Sequence, residues 1–334
     1  MSRSINILVQ VLLIGGIFGF LFWSAFNATD SEGKNVFVIL LEQPKRYGFL
    51  VAAFWIQFLA VALVIIRWRW LLRTLGLQCS RTEAFRFGFF GMMVNLAPLG
   101  IVGGDAAKAI LIAQRNPESR SQAVASVFID RLIGLLTMFL CGTALLYYTG
   151  FYARPDIIAQ VFTYLVVASA AAGLLGTGIV FLPFFAKGHI ERQIAKIPVC
   201  GKLLSKFVNA LLMYRNHKRC LLQCALLTIP VHFLCGLSLY FTAVAIFPTG
   251  GEGAEALTGV PDWIEHAMLH CITNTTTLLP LSAGPYELVF EQFYQLYGMT
   301  VGMGFIVSLM YRFICVCTAI AGMVYYYASM LGPR

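Results

Sequence analysis

Charge is what this chain has least of. Asp, Glu, Lys and Arg make up 12% of its 334 residues against 59% hydrophobic, and the mean hydropathy is +0.78. Such a composition excludes a separate soluble domain and is that of an all-α polytopic membrane protein. Other absences narrow the chemistry. No Cys-x-x-Cys spacing occurs among the nine cysteines, which sit mostly inside apolar runs and read as small hydrophobes rather than as disulfide or metal ligands. No Gly-x-x-x-x-Gly-Lys-Ser/Thr loop is present to hold ATP phosphates, no Asp-x-Asp pair of a lipid-linked transferase, and no His-Glu-x-x-His zinc motif. The net charge of +9 comes without a basic module interleaved with aromatics, so no nucleic-acid partner is expected, and no cofactor or metal is expected either.

What is present is a series of apolar spans long enough to cross a bilayer, at about 6–26, 48–66, 122–149, 157–185, 220–247 and 300–330. The first is too long for a typical signal-peptide core, and its removal would leave the first half one pass short, so it is expected to remain. Two further segments, about 84–112 and 263–298, are hydrophobic but broken by Pro and Gly. Treating them as re-entrant hairpins, with the N-terminus inside, puts Arg3, Arg67, Arg69, Arg73, Arg81, Arg86, Arg115, Arg120, eight bases from Lys187 to Arg219 and Arg334 on the inner face. The outer loops then keep only Lys34, Lys45, Arg46 and Arg154, as the positive-inside rule requires. Both termini are accordingly expected in the cytoplasm, with the protein in the cell (plasma) membrane. Residues 189–219 read as an amphipathic helix on the inner leaflet, an orientation anchor with a capacity to gather anionic lipid.

The two breaks resemble each other. Pro98-Leu-Gly-Ile-Val-Gly-Gly-Asp105 and Pro280-Leu-Ser-Ala-Gly-Pro-Tyr-Glu287 lie 182 residues apart, and the arginine in the following helix, Arg131 or Arg312, keeps that offset within one residue. Each half reads as crossing, crossing, hairpin, crossing. An odd number of crossings inverts the second half (about 151–334) relative to the first (about 1–150), within one integral membrane domain. Gly/Pro-interrupted segments at matching positions of two halves point to the binding site of a transporter.

Ionisable groups at membrane depth are few: Asp105, Lys108, Asp130, Arg131, Glu287, Glu291 and Arg312. Charges there are costly and therefore pair, face a cavity, or both. Asp105 and Glu287 are expected at the hairpin tips, with Arg131 and Arg312 near enough to pair with them. Such pairs could serve only to hold broken helices. The glycines Gly103, Gly104 and Gly284 argue for more, since they permit close approach and leave amides for phosphate at the start of a half-helix, beside an arginine fork suited to phosphate oxygens. One phosphate-compatible site at each end of a path follows, with Asn95, Asn274, Thr275, Thr276 and Thr277 as its lining. His266 and His270, one turn apart, read as an interfacial polar face rather than a metal site.

Asn95-Leu-Ala-Pro-Leu-Gly-Ile-Val-Gly-Gly-Asp105, Ser126-Val-Phe-Ile-Asp130-Arg131 and Leu279-Pro280-Leu-Ser-Ala-Gly284-Pro-Tyr-Glu287 together resemble the lysylphosphatidylglycerol synthase transmembrane family, also called flippase-like. The family includes the membrane half of the bacterial multiple peptide resistance factor, and the resemblance covers nearly the whole chain. It implies movement of a membrane phospholipid between leaflets. Because these 334 residues hold no soluble synthase domain, it implies translocation without synthesis, not an enzyme, with a separate lipid-modifying enzyme or a second copy as the partners it suggests. The family often has Gly-Glu at Gly104-Asp105 and a glycine-rich run at Ala283-Gly284-Pro285-Tyr286, where Pro285 and Tyr286 stiffen and enlarge the site. Beside the lipid transporter stand two other classes: a membrane transferase acting on a lipid-linked substrate, and a carrier using Asp105 and Glu287 as proton sites.

Overall fold

The computed structural model describes residues 3–29, 33–96, 101–180, 209–247, 260–278 and 283–331. Within these, regular structure is helical. The long helices are α1 (Arg3–Asn27), α3 (Tyr47–Thr74), α6 (Arg120–Tyr148), α7 (Ile157–Val180), α8 (Lys218–Ile246) and α11 (Met303–Leu331), with a short α2 (Val36–Glu42) after the first. Between α3 and α6 lie α4 (Arg81–Leu96) and α5 (Ile101–Arg115); between α8 and α11 lie α9 (Trp263–Thr273), a 3-10 stretch Asn274–Leu278, and α10 (Pro285–Leu296). Five of the expected crossings are helices long and apolar enough to span a membrane: Tyr47–Thr74, Pro117–Tyr148, Ile157–Ile179, Arg215–Ile246 and Met303–Ala328. The sixth falls on α1. Both breaks interrupt a helix pair where expected, although Ala97–Gly100 and residues 279–282 lie outside the described residues, as does most of the amphipathic segment 189–219.

Local chemistry sets where the broken pairs begin. Ser80 accepts the Glu83 amide on its hydroxyl at 3.1 Å while the Glu83 carboxylate accepts the Ser80 amide at 2.8 Å. Asp262 accepts the amides of Ile264 and Glu265, and Glu265 returns the bond to the Asp262 amide at 2.8 Å. Each box satisfies amides that a helix start leaves without partners. The two boxes are themselves 182 residues apart, from Ser80 to Asp262 and from Glu83 to Glu265.

Each broken pair also closes at its base. Arg115, the last residue of α5, reaches Glu83 in the first turn of α4 at 3.2 Å, and Asn116 exchanges side-chain bonds with the Gln78 backbone. At the matching place in the second half, the Tyr297 hydroxyl hydrogen-bonds the Glu265 carboxylate. The first helix of each pair therefore starts beside the end of the second, which makes both pairs hairpins. The α4–α5 arms touch backbone to backbone: a Cβ on Gly104 would stand 1.9 Å from the Gly91 carbonyl oxygen, and one on Gly91 would stand 2.9 Å from that of Gly104. Only glycine at both positions lets the arms meet.

Packing follows one scheme twice. Helix α3 lies along α8. Hairpin arm α4 packs on α11, and its counterpart α9 packs on α6; α5 meets α6 as α10 meets α11; α6 meets α8 as α11 meets α3. These contacts persist when the halves exchange names. The largest buried apolar cluster joins α6, α8, α9, α10 and α11 through residues such as Leu146, Leu239, Met268, Phe293 and Val307. A second ties α3, α4, α5 and α6 through Trp68, Phe89, Ile112 and Val127. Leu211 and Tyr214, at the described end of the 189–219 segment, are buried against α3 and α6, with the Tyr214 hydroxyl donating to the Leu71 carbonyl at 3.0 Å.

A charged cavity between the halves

Arg131 bonds Asp105 through its Nε, and Lys108 Nζ, one turn along α5, lies 3.1 Å from the other Asp105 oxygen. In the second half Arg312 Nε donates to Glu287 Oε1 at 2.6 Å. Both expected acid–arginine pairs are thus formed, each tying a hairpin to the long helix after it. Asp130 does not join its neighbour's pair. It is held from α3 by Arg67, whose Nε donates to Asp130 Oδ1 at 2.8 Å, whose Nη2 donates to the Asp130 carbonyl at 3.0 Å, and whose Nη1 donates to Thr228 Oγ1 at 2.9 Å.

Arg67 is the residue that sequence reasoning placed wrongly. Counted there among the inner-face bases, it is 4% exposed, because α3 runs eight residues past the apolar span and carries Arg67 and Trp68 into the packing. The signal was its place immediately after the end of that span, too close to tell a loop from a helix end. His266 and His270 are also inside rather than on an interfacial face: α9 is enclosed by α6, α8 and α10, and His266 Nε2 lies 2.7 Å from the Tyr294 hydroxyl. Among the described residues no cluster of three or more His, Cys, Asp or Glu is arranged to hold a metal.

These groups surround a cavity of about 440 Å³ between α3, α4, α5, α6, α8 and α9. Its charged wall is Arg67, Lys108, Asp130 and Arg131; its neutral polar wall is Gln57, Asn95, Thr228, His232, His270 and Asn274. Lys108 Nζ stands 5.4 Å from the centre of the Trp68 ring, a cation–π distance. Counting Asp105, three cations face two anions here among the described residues.

The amides expected to remain available are occupied. Asn95 Oδ1 accepts the Gly104 amide at 2.8 Å, and Glu287 Oε2 accepts the Gly284 amide at 2.7 Å. Gly284 has φ +97°, a left-handed conformation suited to glycine, and Pro285 follows at the first helical position. Gly103 is an ordinary helical residue of α5. Thr275 and Thr276 are buried and return their hydroxyls to carbonyls one turn back; the Thr277 side chain lies outside the described residues.

The two pairs differ in their surroundings. Arg131, the partner of Asp105, lines the cavity, whereas Glu287 is fully buried and Tyr286 stacks on Phe290 at 6.1 Å. Phe290 stands at the position that Lys108 holds in the first half, 182 residues earlier. Glu291, next in the chain, serves α11 instead: its carboxylate accepts the Gly302 amide at 2.7 Å, the Phe305 amide at 2.9 Å and Gln295 Nε2 at 2.8 Å. Negative charge at a helix start is favourable.

Comparison with known proteins agrees with this architecture. A UPF0104 membrane protein of Methanocaldococcus jannaschii is 23% identical over 214 residues, which cover 62% of this chain and 57% of that protein. The chain therefore spans little more than half the length of this curated relative. No solved structure matches it. The family described as Lysylphosphatidylglycerol synthase TM region matches residues 7–322, nearly every helix described above, and the chain is a multi-pass membrane protein belonging to that family.

Proposed function

We propose that this protein is a lipid transporter of the flippase type, which moves a phosphate-bearing lipid headgroup between leaflets through the space between its two halves. The observation that carries the reading is the cavity of about 440 Å³ walled by Arg67, Lys108 and Arg131 among the helices of a membrane protein. Bringing one charged residue to the centre of a membrane helix costs about 2.5 to 3.5 kcal/mol even on the lenient scale. A purely structural bundle gains little from several of them around open space. Ion pairing reduces this cost, and a guanidinium fork with a nearby ammonium presents donors to phosphate oxygens.

Exchange of access rests on the repeat. The conserved contact scheme, the matching capping boxes and the two base-closed hairpins support a pseudo-two-fold relation between halves, and the basic loops support an inverted one with both termini in the cytoplasm of a plasma membrane. In that frame the hairpins are re-entrant from opposite faces. Arg131 lines the cavity, while in the second half Glu287 is fully buried and its partner Arg312 is a third exposed, an inequality expected of one conformer in an alternating-access cycle. Movement of hairpin and partner helix past each other would open the second pair and close the first. Leaflet exchange of fluorescent phospholipids in liposomes, with a folded Arg131→Ala protein as reference, tests the reading: exchange above the variant supports it. Equal rates in the two, at several pH values and with an imposed potential, refute it.

A further inference from the structure

The cavity wall holds more than a phosphate site needs. On its charged side Asp105 already faces Arg131 and Lys108, and Asp130 takes the Arg67 fork on both its carboxylate and its carbonyl. Asp105 Oδ1 makes no hydrogen bond although Lys108 Nζ stands 3.1 Å away, but an incoming cation would meet three positive side chains. The surplus of one positive charge among these described groups matches one phosphodiester. Across from them, α8 and α9 present neutral polar groups. His232 Nε2 lies 3.3 Å from Thr137 Oγ1, and the Gly134 backbone is a further hydrogen-bonding neighbour of the ring, while the buried Nδ1 makes no hydrogen bond. The His270 ring centre is 6.0 Å away, and Asn274 Nδ2 reaches His270 Nδ1 at 3.1 Å. A buried polar atom without a partner is costly and asks for one.

Resting on the transport reading above, we infer that the cavity selects a singly charged phosphodiester carrying hydroxyl groups, its phosphate against Arg67, Lys108 and Arg131 and a hydroxyl against His232, in preference to headgroups that end in an ammonium. The hydroxyl both donates and accepts, so it satisfies His232 Nδ1 in either tautomer. The same chemistry is offered by phosphatidylglycerol and by its free headgroup diester, glycerophosphoglycerol, and the experiment separates them.

Proteoliposomes would be assayed for leaflet exchange of fluorescent phosphatidylglycerol, phosphatidylmethanol (the same charge without hydroxyls), phosphatidylethanolamine and lysylphosphatidylglycerol, and for uptake of labelled glycerophosphoglycerol. We expect phosphatidylglycerol to move about ten-fold faster than phosphatidylmethanol, the factor of one net hydrogen bond, and both to outpace the two ammonium lipids. His232→Leu should erase the first difference and keep the second, and His232→Asn should restore part of the first. Equal exchange of all four lipids leaves the transporter standing and overturns the selectivity. Saturable glycerophosphoglycerol uptake without lipid exchange supports the site chemistry and refutes the lipid reading, and no movement of any probe refutes both. Should His232→Leu not fold, the ranking in the wild-type protein decides.

Discussion

Arg67 of α3 grips Asp130 of α6 at two points, its carboxylate at 2.8 Å and its backbone carbonyl at 3.0 Å. The residue beside Arg131 is thereby fixed from another helix, while Arg131 itself pairs with Asp105. The corresponding residue before Arg312, Tyr311, is held by the same helix: its hydroxyl donates to Gln57 Oε1 at 3.1 Å. Helix α3 thus positions both arginines through their neighbours.

Removing one side of the buried pair should hurt more than removing both. Arg67→Met leaves the Asp130 carboxylate buried without its cation and is expected to cost about 3 to 5 kcal/mol, while Arg67→Met/Asp130→Leu recovers most of it. Thermal unfolding of the purified variants in one detergent checks the order.

Gly104→Ala should break the first hairpin, because its Cβ would meet backbone rather than a side chain that can swing away. Gly134→Ala meets only the Arg67 guanidinium at 3.6 Å, an ordinary contact, and should be tolerated to within about 1 kcal/mol. Size-exclusion behaviour and melting of the pair test this.

Glu291→Ala strips the start of α11 of its acceptor and should destabilise by about 2 to 3 kcal/mol through the Gly302 and Phe305 amides left buried. Glu291→Gln, which keeps one acceptor oxygen, should fall between. Melting in detergent is again the measure.

The hairpin geometry predicts labelling from the two sides of the membrane. In single-cysteine variants Gln78→Cys and Glu118→Cys should react with a membrane-impermeant maleimide from the same face, and Tyr152→Cys and Trp263→Cys from the opposite one. Reaction of Gln78→Cys and Glu118→Cys from different faces would mean that α4–α5 crosses.

Arg131→Ala and Arg312→Ala are each expected to abolish lipid exchange, the first by removing a wall of the cavity and the second by removing the partner of Glu287. Arg→Lys at either position should restore only part of the rate, because an ammonium lacks the planar fork. Activity retained in both Ala proteins would take the arginines out of the mechanism.

Much of the architecture was legible because membrane helices announce themselves by length and hydropathy, and because the acid–arginine spacing repeats. The capping boxes were legible too: Ser80-x-x-Glu83 and Asp262-x-x-Glu265 stand in the sequence at the offset already noticed between Pro98 and Pro280, yet they went unread. Arg67 was hidden by the rule that served the topology, since a basic residue at a span's end reads as a loop charge until packing shows otherwise. The occupation of the Gly104 and Gly284 amides was not legible at all, for it depends on side chains folding back from Asn95 and Glu287. Nor could spacing alone show that the arginine of one pair lines a cavity while the acid of the other is fully buried.

In the proposed transport cycle, the exchange of Lys108 for Phe290 would make the two doors of this molecule unequal. An unequal pair of doors sets how fast each opens, and by microscopic reversibility it does so for traffic in both directions alike. The asymmetry of the chain can therefore tune speed and choice of passenger, while any net accumulation on one side must be drawn from a gradient outside the protein.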